Sequence, residues 1–134
     1  MSTRSMVAIK QADGSLKAMF KHWDGYPSYM MPFLENFNSD ELANELVRFG
    51  YCDCFQTPED KEKYQTQYPE QYPEDKFFKC SNGNYLFDGY GSPKEYKNLK
   101  ALWSDPDNFA IEYVYIWNGY KWVVIDPDAD VFNE

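Results

Sequence analysis

The chain has 134 residues, a length that allows one domain with a single hydrophobic core. Its 13 basic and 22 acidic residues give a formal charge of −9, which argues against direct binding to a nucleic-acid backbone. The charge favours solubility or, as the sharper alternative, an acidic surface that binds basic patches on another protein.

Aromatic residues dominate the apolar content of the chain. With twelve tyrosines and four tryptophans, we expect a core of rings that form hydrogen bonds at its edges. No apolar run approaches the roughly 18 residues of a membrane span, and the first residues lack the apolar segment of a signal peptide. The odd set of Cys52, Cys54 and Cys80 is typical of a reducing cytoplasm.

The first predicted element is a β-hairpin. Residues 7–9 and 16–20 form apolar strands on either side of the turn dipeptide Asp13-Gly14. With a two-residue turn, Val7 lies opposite Phe20 and Lys10 lies opposite Lys17. Because that register places two like charges side by side, a longer loop is the alternative.

Capping signals predict two helices, over 39–49 and from 93 to about 104. In the first, Asn38 caps the helix, Glu41 is the capping-box partner, and Gly50 ends it. The second follows Ser92-Pro93-Lys94-Glu95, in which serine is the cap and proline the first helical residue. The segment 29–34 also has helical apolar spacing, but Pro32 requires any helix there to begin near Ser28.

Residues 53–76 are predicted to form a long acidic surface loop. They include the direct repeat Gln67-Tyr68-Pro69-Glu70 and Gln71-Tyr72-Pro73-Glu74. A residue before proline favours extended backbone, which is typical of a surface excursion. The Tyr-Pro pairs are either solvated or a partner-binding element, since they expose Tyr68 and Tyr72 at little entropic cost.

The last predicted element is a hairpin with strands at 109–117 and 120–125 around Asn118-Gly119. A two-residue turn places Trp117 opposite Tyr120 and Tyr115 opposite Trp122. Both faces of the hairpin are then apolar, so it is either covered on both sides or exposes an aromatic binding face. An uncovered aromatic face would favour a homodimer.

The segment His22-Trp23-Asp24-Gly25-Tyr26-Pro27 is the most distinctive in the chain. A histidine and an aspartate two residues apart on a strand end point to the same side, the geometry of a general base or a metal ligand. The alternative is a structural corner in which Asp24-Gly25 makes the turn. No nucleophile motif or second histidine accompanies the pair, which favours the corner and predicts no catalytic residue.

Two further patterns imitate metal sites. Cys52, Cys54 and Cys80 with His22 could count as four zinc ligands, but one residue between the first two cysteines is outside the usual spacing. The segment 126–130 resembles the start of a calcium loop, yet Val131 stands in place of the required glycine. We predict no metal and no cofactor.

Several of these pieces together resemble a group of small uncharacterised proteins of tailed phages and prophages. The likeness lies in Ser5-Met6-Val7-Ala8-Ile9-Lys10, the Asp-Gly hairpin, the His-Trp-Asp-Gly-Tyr motif and the closing hairpin. It covers about the first 50 and the last 25 residues, whereas the Tyr-Pro repeat and the segment 31–33 depart from the pattern. No activity is established for that group, so the resemblance implies a phage origin and the host cytoplasm, without a mechanism.

The sequence therefore predicts a single α+β domain over 1–134, with an antiparallel sheet built from both hairpins and two helices on one face. The leading hypothesis is a non-enzymatic phage accessory protein that binds and antagonises a host or defence protein with a basic surface. The binding residues predicted for it are His22, Trp23, Asp24, Tyr26, Tyr68 and Tyr72.

Two alternatives come from other classes of protein. A protein that sequesters a nucleotide signal would stack the base on Trp23, Tyr26, Trp117 or Trp122, although clustered cations for the phosphate are lacking. An enzyme would use His22 together with Asp24 as its general base.

Overall fold

A computed structural model describes residues 3–108 and 110–126. Two sheets and four helices occupy these ranges, with strands at both ends of the described chain paired to each other, so the expected α+β class is confirmed. The strands are β1 (Arg4–Lys10), β2 (Leu16–Lys21), β3 (Tyr51–Cys52), β4 (Cys54–Gln56), β5 (Phe77–Lys79), β6 (Tyr85–Phe87), β7 (Lys94–Tyr96), β8 (Ile111–Trp117) and β9 (Trp122–Ile125). The helices are α1 (Pro27–Leu34), α2 (Asp40–Leu46), α3 (Pro58–Gln67) and α4 (Leu99–Ser104).

The larger sheet has the strand order β3-β2-β1-β8-β9, with β7 also paired to β2. Both predicted hairpins are present in it as antiparallel pairs. The hairpins join through β1 and β8, which are parallel, and β2 and β3 are parallel as well. The sheet is therefore mixed and not purely antiparallel. A smaller antiparallel sheet has the order β4-β6-β5.

The loop of the first hairpin is longer than two residues, as expected from the repulsion between Lys10 and Lys17 in the shorter alternative. Val7 lies opposite Met19 and Lys10 opposite Leu16, with residues 11–15 in the loop. The two-residue register is therefore wrong by one position. Because side chains alternate along a strand, this shift exchanges the two faces of β2. Lys21 consequently lies on the face that packs against α1.

The closing hairpin also has a longer loop than predicted. Trp117 lies opposite Trp122, and residues 118–121 form the loop, in which Asn118 N–H donates to the Lys121 carbonyl at 3.1 Å. The predicted pairing of Trp117 with Tyr120 is wrong by two residues. A shift of two preserves the faces of a strand, so the predicted aromatic and aliphatic faces are correct.

Both faces of the larger sheet are covered, as the two apolar faces of the closing hairpin indicated. One face, with Tyr115, Trp117 and Trp122, packs against α1, α2 and the smaller sheet. The other face, with Val114 and Ile116, packs against α4. The helices therefore lie on two faces of the sheet and not on one. The aromatic face is buried, which removes the reason given for a homodimer.

The first predicted helix is confirmed, but it ends at Leu46, three residues earlier than predicted, so Gly50 does not end it. The cap is Ser39, whose hydroxyl accepts a hydrogen bond from Leu42 N–H at 3.1 Å, one residue after the predicted Asn38. Helix α1 begins at Pro27 and contains Pro32 in its last turns. The start near Ser28 was therefore predicted within one residue.

The predicted start of the second helix is wrong. Residues 94–96 form β7, which pairs with Leu16–Ala18 at the edge of β2. The helix that follows, α4, begins after Asn98, whose side chain accepts from Ala101 N–H at 2.9 Å. Residues 92–95 carry a helix-capping pattern, but residues 94–96 pair with the open edge of β2 because tertiary contacts outweigh local propensity.

The predicted loop over 53–76 is wrong over most of its length. Residues 54–56 form the buried strand β4, and residues 58–67 form α3, which has no buried residue. Thr57 caps α3 by accepting from Asp60 N–H at 3.1 Å, and Pro58 is its first residue. Only the segment 68–73, which holds the Tyr-Pro pairs, remains a turn. Within the ranges that the structure describes, no helix is long and apolar enough to cross a membrane.

Candidate functional site

The segment 22–27 connects β2 to α1 and continues the pairing of β2 with its neighbour. His22 N–H donates to the Cys52 carbonyl at 3.0 Å, and Trp23 N–H donates to the Asp53 carbonyl at 2.9 Å. The ring of His22 lies 5.6 Å from that of Trp23, measured between centroids. Backbone bonds thus fix both residues beyond the end of the strand.

Asp24 and Gly25 make the turn that the sequence indicated. Asp24 has a φ of +56°, the left-handed conformation that aspartate tolerates better than most residues. A Cβ on residue 25 would lie 2.7 Å from the Thr3 carbonyl oxygen, so a side chain does not fit there. The buried Tyr115 hydroxyl donates to the Gly25 carbonyl at 2.5 Å. Asp24-Gly25 is therefore a structural corner tied to the sheet.

Beneath this corner lies a buried lysine that the sequence did not indicate. Lys21 is completely buried, and its ammonium donates to the Trp23 carbonyl. The Lys21 Nζ also lies 5.1 Å from the ring centroid of Phe55 and 5.5 Å from that of Tyr29. Burial lowers the pKa of Lys21 to about 8, while Cys54, Cys52 and two aspartates partly oppose this. Carbonyl and ring contacts hold this cation, with the acidic groups acting at longer range.

Asp24 is exposed and acts electrostatically on the rings of Tyr64 and Tyr72, and we group these residues with Tyr26, two residues after Asp24 in the chain, in one patch. We call it the acidic tyrosine surface, and its members are Asp24, Tyr26, Asp60, Tyr64, Tyr68 and Tyr72. Tyr26 and Tyr68 are 40% and 51% exposed. The Tyr64 and Tyr72 rings lie 5.6 Å apart. Three of the six predicted binding residues, Asp24, Tyr68 and Tyr72, thus interact with Tyr64 of α3.

Electrostatic interactions link Asp24 and Asp60 to the tyrosines of α3 and the Tyr-Pro turn. Burial raises the pKa of Tyr64, and the negative charges of Asp60 and Asp24 raise it further. The pKa of Tyr72 is raised in the same way by burial, by Tyr64 and by Asp24 among others. The carboxylate of Asp24 therefore acts on rings that lie more than 35 residues away in sequence.

His22 lies on the opposite side of the corner. No hydrogen bond joins His22 and Asp24 within the described chain; the carboxylate that interacts with His22 is Asp53, between β3 and β4. Burial and Asp88 raise the pKa of Asp53, whereas the Tyr51 hydroxyl, which donates to it at 3.0 Å, and His22 lower it. The hydrogen-bonded pair of His22 and Asp24 that a general base would need is thus not formed.

The three cysteines are buried thiols. Burial raises the pKa of Cys54 to about 11 and that of Cys80 to about 12, and it raises the pKa of Cys52 further. Such thiols are unreactive, since the thiolate is the nucleophile and the metal ligand. Over 3–108 and 110–126, no group of three or more histidine, cysteine or acidic side chains could hold a metal ion. Residues 127–134, which carry most of the calcium-like segment, lie outside the described ranges.

The sequence missed Lys21, Asp60 and Tyr64. The one-residue error in the register of the first hairpin placed Lys21 on the wrong face of the sheet. Asp60 and Tyr64 were missed because their helix, α3, was predicted to be a loop. Trp117 and Trp122 are 3% and 5% exposed, so of the four rings predicted for stacking on a nucleotide only Trp23 and Tyr26 are accessible. No family model, no curated protein and no solved structure matches the chain.

Proposed function

We propose that this chain is a non-enzymatic phage accessory protein that binds and antagonises a host or defence protein in the host cytoplasm. The binding element is the acidic tyrosine surface, and the partner presents a basic surface. The phage setting rests on the sequence resemblance alone. The observations that support the binding proposal are the electrostatic effect of Asp24 on Tyr64 and Tyr72 and the exposed rings of Tyr26 and Tyr68.

The composition of this surface suits protein recognition. Tyrosine combines a large apolar ring with a hydroxyl and has few rotatable bonds, so it buries area at little entropic cost. Helix α3 presents Glu59 and Asp60 in its first turn and buries none of its residues. Because α3 has no residue in the hydrophobic core, its exposed side chains, such as that of Glu59, are available to a partner.

Charge complementarity favours a basic partner. Asp24 adds its carboxylate to those of α3, in a chain whose formal charge is −9. Attraction between opposite charges accelerates encounter and excludes acidic partners, and it weakens as salt is added. The proposal thus predicts a complex that forms faster at low ionic strength.

A pull-down with matched variants tests this proposal. The surface variant combines Asp24→Asn, Tyr26→Ser and Tyr68→Ser; asparagine at position 24 keeps the tolerance for positive φ. The control is Tyr120→Ser, which removes a ring that is 91% exposed in the loop between β8 and β9. Circular dichroism and the urea midpoint verify that all proteins are folded.

We expect the wild type and the Tyr120→Ser control to recover the same partner in stoichiometric amount from host lysate at low salt. The surface variant should bind that purified partner at least about tenfold more weakly, since a central tyrosine contributes about 2 kcal/mol. Recovery of no stoichiometric partner, or equal affinity of the surface variant, would refute the proposal.

A further inference from the structure

Two segments of the chain cross between the larger and the smaller sheet at the same place. The first runs from β3 through Asp53 into β4, and the second leaves β6 through Asp88 and returns to the larger sheet at Tyr90. The backbones of Tyr90 and Tyr51 exchange hydrogen bonds of 3.0 Å in both directions, and Asp53 N–H donates to the Phe87 carbonyl at 3.1 Å. An aspartate therefore lies at each crossing, and the two crossings are side by side.

The side chains of these two aspartates are in contact. Their carboxyl groups form a hydrogen bond with each other, and Asp88 also acts on Asp53 through its charge. The Tyr51 hydroxyl donates to the Asp53 carboxyl group at 3.0 Å and helps to fix its position. A hydrogen bond between two carboxyl groups needs a proton on one of them, because an ionised carboxylate only accepts. The contact is thus favourable with one proton present and repulsive without it.

The surroundings of the pair contain basic and neutral groups. Lys21 and His22 both interact with Asp53, and Lys76, whose carbonyl accepts from Asp88 N–H at 2.8 Å, is exposed. The other titratable neighbours of the pair are hydroxyls and thiols, which are neutral near pH 7: Tyr51, Tyr72, Tyr90, Cys52 and Cys54. Burial and Asp88 outweigh the Tyr51 hydroxyl and His22, so the pKa of Asp53 is raised.

We propose that Asp53 and Asp88 share one proton and form a pH-sensitive latch between the two sheets. The latch is closed when one of the two carboxyl groups is protonated. It weakens when both are ionised, since two negative charges in contact repel each other, and the proton belongs to the pair and not to either residue alone. This device is independent of the proposed protein partner.

The direction of the pH dependence follows from the raised pKa of Asp53. The folded protein holds this proton more tightly than the unfolded chain, so the contribution of the latch to stability is complete below the unfolded value of 3.8. It is lost as the pH rises through the folded value. Asp105 and Glu74, whose pKa values hydrogen bonds lower, have the opposite dependence and lose their contribution as the pH falls. The latch must therefore be measured as a difference between matched proteins.

Urea unfolding of Asp88→Asn at two pH values provides this difference. Asp88 has a φ of +57°, and asparagine tolerates that conformation as aspartate does. The asparagine amide can donate to the Asp53 carboxylate at every pH, so the contact no longer needs a proton. Asp75→Asn, at an exposed aspartate directly before β5, is the matched control. Lys21 and His22 are present in all three proteins, so the comparison isolates the charge of Asp88.

The urea midpoint of Asp88→Asn should exceed that of the wild type at about pH 7.5, and the excess should disappear at about pH 4, where the wild type holds its proton. Asp75→Asn should keep the pH dependence of the wild type. An excess for Asp88→Asn that is absent, equal at both pH values or smaller at the higher pH would overturn the latch.

Two further measurements locate the effect. In carbon-13 NMR of the wild type, the Asp53 carboxyl carbon should titrate above 3.8; titration at or below this value would overturn the shared proton, even if Asp88→Asn failed to fold. In hydrogen exchange at about pH 7.5, the N–H groups of Asp53 and Tyr90 should exchange more slowly in Asp88→Asn than in the wild type, because both bond across the crossings. Equal exchange at these two positions would show that the pair does not hold the sheets together.

Discussion

Replacing Lys21 by methionine should stabilise the protein at neutral pH. The fall of the Lys21 pKa from 10.5 to about 8 corresponds to a penalty of about 3 kcal/mol on the charged form in the folded state. Methionine removes this penalty and fills similar space, but it leaves the Trp23 carbonyl without its donor, a loss of about 1 kcal/mol. The expected net gain in the free energy of unfolding is therefore about 2 kcal/mol near pH 7.

The gain should disappear as the pH rises. Below pH 8 Lys21 is charged in both states, and the full penalty is present. Between the folded value of about 8 and the unfolded value of 10.5, the unfolded chain binds more protons, so wild-type stability from this group rises with pH. Burial raises the pKa of tyrosines such as Tyr115 equally in both proteins, so the difference between the two proteins isolates Lys21. The advantage of Lys21→Met should thus vanish near pH 10.

Urea unfolding followed by tryptophan fluorescence measures this difference at pH 7 and at pH 9.5. Lys10→Met, an exposed lysine on the neighbouring strand, is the control and should change stability by less than about 0.5 kcal/mol. A Lys21→Met protein that is less stable than the wild type by more than about 1 kcal/mol at pH 7, or a difference that does not depend on pH, would refute the reasoning.

The remaining predictions concern a helix cap, the corner and the strand junction, and urea denaturation measures all of them. Asn98→Ala should lower the free energy of unfolding by about 1 kcal/mol and Ser92→Ala should leave it unchanged; equal losses would contradict the observed cap. Tyr115→Phe should cost about 1–2 kcal/mol, because the Gly25 carbonyl loses its donor, and an unchanged midpoint would contradict this bond. Gly50→Ala should cost about 1–3 kcal/mol through the clash with Ser92, so wild-type stability would exclude that close approach.

Much of the sheet could be predicted because alternation survives some errors. The closing hairpin was displaced by two residues, yet its aromatic and aliphatic faces were correct, since the side-chain period of a strand is two. The first hairpin was displaced by one residue, and that smaller error exchanged its faces. For this reason the sequence does not predict that Lys21 is buried, although Lys21 directly precedes the His22–Pro27 motif.

Helix signals were ambiguous because one pattern occurs twice. Both Thr57-Pro58-Glu59-Asp60 and Ser92-Pro93-Lys94-Glu95 combine a cap, a proline and an acidic residue at the third helical position. The first begins α3, and the second leads into β7, because the edge of β2 is open at Leu16–Ala18. The local sequence around residues 92–95 does not indicate that an unpaired strand edge lies next to it in the fold.

The candidate site was predicted in part. The motif and the Tyr-Pro repeat predict Asp24 and Tyr72 separately, and in the structure the charge of Asp24 acts on Tyr72. Tyr64 was missed because its helix was expected to be loop. Interactions between distant segments, such as the electrostatic effect of Asp24 on Tyr64, depend on tertiary packing that a single sequence does not show in a recognisable pattern.

Plating efficiency of a phage on a defence-carrying host measures the central claim most directly. The host expresses the wild-type chain, the Asp24→Asn/Tyr26→Ser/Tyr68→Ser surface variant, or the Tyr120→Ser control at equal level. We expect plaques to be restored by the wild type and by the control and to be lost with the surface variant. Equal restoration by all three proteins, across hosts with different defence systems, would contradict the role of the acidic tyrosine surface.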